Sequence, residues 1–231
     1  MPAPARQITV TLRDGTRVRL RPIRPDDKRL LARGFERLSE DSRYRRFFTP
    51  MPELPPAQLE YLTEVDHRDH EAILAVDEHG EPVGVARYVR SASEAHAAEA
   101  AVAVVDEWQG RGVGRALLNR LATRARQEGV SRFTALVQTD NQAALELIGG
   151  LPLSERSRDG GELHLVMKLP RRGLGAQLAR ALRAAAAGSL NAAGAVLSGP
   201  SADLAEPDRD RFAPPVETAG RRASIVPRGP A

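Results

Sequence analysis

Three glycines alternate with other residues at Gly110, Gly112 and Gly114, in the stretch QGRGVGRALL from Gln109 to Leu118. An apolar run precedes them and a helix-like pattern follows. A glycine-rich turn between a strand and a helix exposes backbone N–H groups, and the helix N-terminus adds partial positive charge, so such a site suits a pyrophosphate. Two familiar phosphate loops fail on residue type. A nucleotide-hydrolysis loop ends in Gly-Lys-Ser/Thr, but Gly114 is followed by Arg115 and Ala116. A dinucleotide loop needs a third glycine and an acid at the end of the next strand. Here Leu117 stands in the glycine's place, and that strand ends in Val137 and Gln138.

A second chemical residue lies upstream. Glu99 is the one acid in AHAAEAAVAVV, a run otherwise of alanine, valine and one histidine. An acid among apolar residues is costly unless it is paired or working. By strand alternation it shares a face with Ala101, Ala103 and Val105, whose small side chains leave room above it. It is either a proton-transfer group or a strand-end glutamate paired with Arg87 or Arg90, and the residues alone leave both open. Asn141 is a good helix N-cap. Asp66, His67, Asp69 and His70 in VDHRDHEAI are metal-ligand types, but the spacing lacks a clear third ligand on a defined element, so no metal is expected.

The elements that must position these groups follow from periodicity. Ile8, Val10, Leu12 and Val18, Leu20, Pro22 alternate on either side of Asp14-Gly15, a strong hairpin signal. Pro25-Asp26-Asp27 opens a helical stretch to about Leu38, Ser39 can cap a second helix, and Pro55-Pro56 starts a third at roughly 57–64. Tyr44, Arg45, Phe47 and Phe48 fall in this region, the aromatics as expected core. EAILAVDE, VGVARYVRS and AAEAAVAVV then read as an antiparallel meander. A long helix over about 112–128 follows the glycines, with Val113, Leu117, Leu121 and Ala125 on one face. RFTALVQ is a strand forming a parallel pair across that helix. A short helix after Asn141 and a strand from Leu163 to Lys168 finish a mixed α/β domain over 1–170. Residues 171–231 read as an Ala/Gly/Pro/Arg-rich tail, with a possible helix at 174–190 and disorder beyond it.

Composition narrows the function. The chain has 231 residues and no cysteine, which excludes disulfides, thiolate metal sites and a cysteine nucleophile. The N-terminus shows no secretory signal and no run is long enough to span a membrane, so a cytoplasmic protein is expected. Residues 1–170 hold 25 basic and 25 acidic side chains, and the tail carries the whole net charge of +4. Such a balance argues against nucleic-acid binding.

On the loop residues QGRGVGRALL, with DEW (Asp106 to Trp108) before them and β-α after them, the chain over about 8–168 resembles the GNAT superfamily of acetyl-CoA-dependent N-acetyltransferases. LRDGTRVRLRPIRPDD, LSEDSRYRRFF and AEAAVAVVDEWQGRGVG are similar to bacterial protein-lysine acetyltransferases. The resemblance implies a mostly antiparallel sheet with one splayed parallel pair, flanked by helices. It implies acetyl-CoA as cosubstrate and no metal. The pantetheine arm would lie along Val104, Val105 and the residues before them. The pyrophosphate would be held by Gln109, Gly110, Arg111, Gly112, Val113, Gly114 and Arg115, with Asn141 touching the arm. Glu99 matches the family's catalytic glutamate. The implied acceptor is a protein lysine, on an acyl-CoA synthetase or other metabolic enzyme. A small amine is the alternative, and a CoA-binding sensor with weak catalysis is a third reading. Two departures stand out: Ile148 replaces the tyrosine many members use as general acid, and LELIGGLPL lacks the usual Gly-Phe ending. Many similar enzymes carry a regulatory domain, for which this chain is expected to have no room in front.

Overall fold

The computed structural model describes residues 7–169. The proposed helix at 174–190 and the tail beyond it lie outside the described residues. Strands β1 (Ile8–Thr11) and β2 (Arg17–Pro22) form the expected hairpin, with Val10 opposite Val18. A 3-10 turn, Pro25–Asp27, leads into α1 (Lys28–Glu36), so the first helical stretch is split and stops at Glu36. The buried Asp27 carboxylate accepts from both terminal nitrogens of Arg21, at 2.6 and 2.7 Å, and from the Arg24 N–H at 2.8 Å. Helices α2 (Glu40–Phe47) and α3 (Pro56–Thr63) follow, and Ser39 caps α2 by accepting from the Ser42 N–H.

Strands β3 (His70–Val76), β4 (Pro82–Arg90) and β5 (Ala97–Val104) make the antiparallel meander. Then come α4 (Val113–Gln127), β6 (Arg132–Gln138), α5 (Gln142–Ile148), β7 (Leu153–Asp159) and β8 (Glu162–Lys168). The eight strands form one sheet in the order β1-β2-β3-β4-β5-β6-β8-β7. Every neighbouring pair is antiparallel except β5 and β6.

Each face of the sheet carries a core. Val113, Leu117, Leu121 and Ala125, the stripe read from the sequence, are fully buried on one face, in a cluster with Ile73, Tyr88 and Phe133. Full burial of a large aliphatic or aromatic side chain stabilises by roughly 1.5–3 kcal/mol. Gly84 permits this close approach, since a Cβ there would lie 3.1 Å from Leu117 Cδ1 and 2.9 Å from the Ala103 carbonyl. On the other face Ile23, Leu31, Leu62 and Ala72 form a smaller cluster under α1 and α3. Among the described residues no helix is long and apolar enough to cross a membrane.

Candidate active site

The ladder between β5 and β6 is short. It runs through Ala97–Arg132, Ala98–Phe133 and Glu99–Thr134, and then the strands part. Beyond that row β6 pairs only with β8, and β5 only with β4. A wedge therefore opens at Glu99, with a backbone edge on β5 from Ala100 to Val104 that no neighbouring strand pairs. Backbone polar groups need partners, and an extended ligand with amide groups fits such an edge.

The glycine loop stands at the wide end. Gly110 and Gly112 have φ of +70° and +97°, a left-handed region that costs other residues energy. Gly114 plays a different part: its φ is ordinary, and a Cβ there would touch Leu147 at 3.4 Å and Val104 at 3.6 Å. It sits where α4 passes close to α5. The first helical bond of α4 runs from the Ala116 N–H to the Gly112 carbonyl at 3.0 Å, so the N–H groups before it lack intrahelical partners.

The Gln109 side chain braces the loop from within. Its Nε2 donates to the Val104 carbonyl at 3.1 Å, to Asp106 Oδ1 at 2.7 Å and to Ser42 Oγ at 3.2 Å. Asp106 in turn accepts from the Ser39 N–H at 2.6 Å and from the Ser42 hydroxyl. Those bonds hold its carboxyl below the usual range against the opposing effect of burial. The loop is thus tied to the N-terminus of α2. Arg111 is tied to the far hairpin, donating to Asp14 and Thr16 at 2.8 Å each while its guanidinium lies 4.2 Å from the Trp108 ring centre. Arg115 lies over Gly150, whose added Cβ would come within 3.1 Å of its Nη1. Val104 is half-buried at the end of β5, and Val105 is buried with its N–H on the Val83 carbonyl. Val113 is buried in the α4 core. Asn141 caps α5, its side-chain oxygen accepting from the Ala144 N–H at 3.1 Å.

Glu99 is exposed, at the apex of the wedge. Neither arginine weighed as its partner takes it. Arg87 is buried and donates to His70 Nε2 and to the Leu62 carbonyl, while Arg90 binds Asp69 and the carbonyls of Ala95 and Glu128. An arginine only donates, so His70 Nε2 accepts and its proton sits on Nδ1. Burial, helped by Arg87, pushes His70 down to about 4. The charge facing Glu99 comes from α2. Burial lowers Arg46 from its ordinary value, and Glu99 and Tyr61 oppose that fall. Nothing in the polar stretch EDSRYRRF marks Arg46 in advance, because its neighbour across space is 53 positions away.

The remaining candidates scatter. Phe47 packs against Phe35 with ring centres 5.8 Å apart, whereas Tyr44 is exposed rather than core. The His67 side chain meets Glu71 through Nδ1, whereas that of His70 meets Arg87 through Nε2, so the two rings take different partners. Ile148 packs partly buried against the main core at the end of α5.

Residues 34–151 match the Acetyltransferase (GNAT) family. The chain is 38% identical over 145 residues to acetyltransferase Pat of Mycolicibacterium smegmatis, a match covering 62% of this chain and 43% of that protein. It therefore spans less than half the length of that relative. It is 33% identical over 140 residues to acetyltransferase PA5475 of Pseudomonas aeruginosa, covering 59% of this chain and 75% of the other. The crystal structure of the GNAT domain of S. lividans PAT superposes with a TM-score of 0.66 at 35% identity, over 71% of this chain and 97% of that one. With its single splayed strand pair and the glycine loop at the open end, the chain belongs to the GNAT family of acetyltransferases.

Proposed function

We propose that the chain is an acetyl-CoA-dependent N-acetyltransferase acting on the side-chain amine of a protein lysine, with Glu99 as general base. The observation that carries this reading is the end of the β5–β6 ladder at Glu99, which puts an exposed carboxylate at the apex of a strand edge that no neighbouring strand pairs. The residues fit the cosubstrate. The β5 edge from Ala100 to Val104 offers backbone groups to the pantetheine amides. The loop Gln109 to Gly114, with Arg115, offers N–H groups and charge to the pyrophosphate. Asn141 keeps its side-chain N–H₂ for the arm, because only its oxygen is used in capping. Arg111 acts as a brace through Asp14. The thioester supplies an activated acyl carbon.

Glu99 supplies the proton acceptor. A lysine amine has a reference pKa of about 10.4 and arrives protonated. Glu99 removes a proton directly or through one water, freeing the lone pair for attack. With Ile148 in place of a tyrosine, the thiolate leaves without a side-chain acid, which a thiol of ordinary acidity allows. The exposure of Glu99 suits an amine carried on a protein surface, such as that of an acyl-CoA synthetase or other metabolic enzyme.

Glu99→Gln is the test. Turnover is expected to fall by about 10²–10⁴-fold, with acetyl-CoA affinity unchanged. Mass spectrometry after incubation with a lysate is expected to find acetylated lysines that the variant fails to produce. Turnover confined to small amines would overturn the lysine assignment. Binding without turnover of any amine would make the chain a sensor.

A further inference from the structure

A cavity on the Glu99 face of the sheet is not used by any of the groups assigned above. It lies between the helices and β3–β5, and Leu31, Leu38, Phe47, Leu62, Val85 and Ala103 are among its walls. Val85 belongs to a central strand and Ala103 to its neighbour, directly opposite it. Both are only half-buried, so the helical layer does not settle onto the sheet here. Beside the cavity α1 does come close, at Gly34, where a Cβ would be 3.3 Å from Pro82. The charged residues in the wall are Arg46 and Arg87, and each guanidinium has a partner. Arg87 binds His70 and the Leu62 carbonyl, and Arg46 lies 4.9 Å from the Phe47 ring centre. The cavity volume is about 50 Å³, and one water-sized group needs roughly 10–15 Å³ on that scale. Interiors are otherwise close-packed, and an apolar cavity of this kind stays dry and accepts apolar groups.

We propose that this cavity takes the aliphatic chain of the acyl donor, so that the protein binds and transfers propionyl and butyryl groups in preference to acetyl. The inference rests on the donor lying along β5 as proposed above. Glu99, Ala101, Ala103 and Val105 share one face. The attacking amine must stand between the acyl carbon and Glu99. The acyl substituent then points away from Glu99, along the same face, past Ala103 and into the cavity. The bonds made and broken do not change with chain length. One proton of the ammonium passes to Glu99, the N–C bond forms, the C–S bond breaks with its electron pair on sulfur, and the second proton, shed as the nitrogen becomes an amide, reaches the thiolate through water.

Calorimetric binding of CoA, acetyl-CoA, propionyl-CoA and butyryl-CoA tests the inference, alongside turnover of each thioester. Each added methylene is expected to tighten binding about fourfold, the equivalent of about 0.8 kcal/mol. Val85→Phe fills the cavity from the sheet, and the butyryl-to-acetyl affinity ratio is expected to collapse to one or below. Leu54→Ala, which enlarges it from a half-buried position, is expected to shift the preferred chain longer and guards against a Val85 variant that fails to fold. If acetyl-CoA binds but affinity is flat or declines along the series, the inference falls while the acyl-CoA reading stands. If none of the four probes binds, both fall. If Val85→Phe raises the KM for the amine and leaves the chain-length ratio intact, the cavity holds the acceptor's stem, and the inference is overturned.

Discussion

At the scale of single residues, the three glycines are not equivalent. Gly112 adopts φ +97° with open space around the position a Cβ would take, so its need is conformational. A side chain there costs about 1–2 kcal/mol and rotates the N–H groups that line the open end of the wedge. Gly114 has ordinary dihedrals, and its added Cβ would make contacts of 3.4 and 3.6 Å. Gly112→Ala is therefore expected to lower the melting temperature and to abolish acetyl-CoA binding by calorimetry. Gly114→Ala is expected to stay within about 1 kcal/mol of the parent in stability, because alanine suits a helix better than glycine. The alternation G-x-G-x-G made all three look like phosphate approaches. Their separate reasons depend on dihedrals and on Leu147, which no local pattern displays. The two possible roles of Glu99 had the same cause. Arg87 and Arg90 are its neighbours by register, yet His70, Asp69 and carbonyls from three other segments claim them.

At the scale of elements, α4 is the part that holds the loop in place, and a buried ion pair locks it to the sheet. Arg124 donates through Nε to Glu71 at 3.0 Å, and both side chains are almost fully buried. Glu71 also meets His67 Nδ1 at 2.8 Å and the Ala72 N–H at 3.0 Å. Removing one partner strands a buried charge. Arg124→Ala is expected to cost about 3–5 kcal/mol in urea unfolding, and Glu71→Leu with Arg124→Met is expected to recover most of it. A single variant that unfolds at the parent's urea midpoint would show that water already reaches the pair. The strands and helices with a buried stripe were legible, because burial imposes the period of the element. β7 was not. All seven of its residues are exposed, and it is held by backbone pairing to β8, so its sequence LSERSRD carries no apolar alternation to read.

At the scale of the molecule, the question is where the folded unit ends. The last backbone bond of the described domain runs from the Leu169 N–H to the Ser131 carbonyl at 2.8 Å, and the Leu169 side chain is buried. β8, just before it, is sandwiched between β6 and β7 and cannot be shortened without opening the sheet. Every group proposed for acyl-CoA, from Glu99 to Asn141, lies upstream of that bond. The charge balance agrees, since residues 1–170 are neutral and the excess of +4 belongs to the segment after them. Deleting residues 171–231 is therefore expected to leave the melting temperature and the acetyl-CoA affinity unchanged. Binding that weakened on deletion and returned in high salt would give the tail's arginines a share in holding the phosphates. Loss of cooperative unfolding would place the domain boundary beyond Leu169, and only an unchanged profile on both measurements fits a site complete within the eight-stranded sheet.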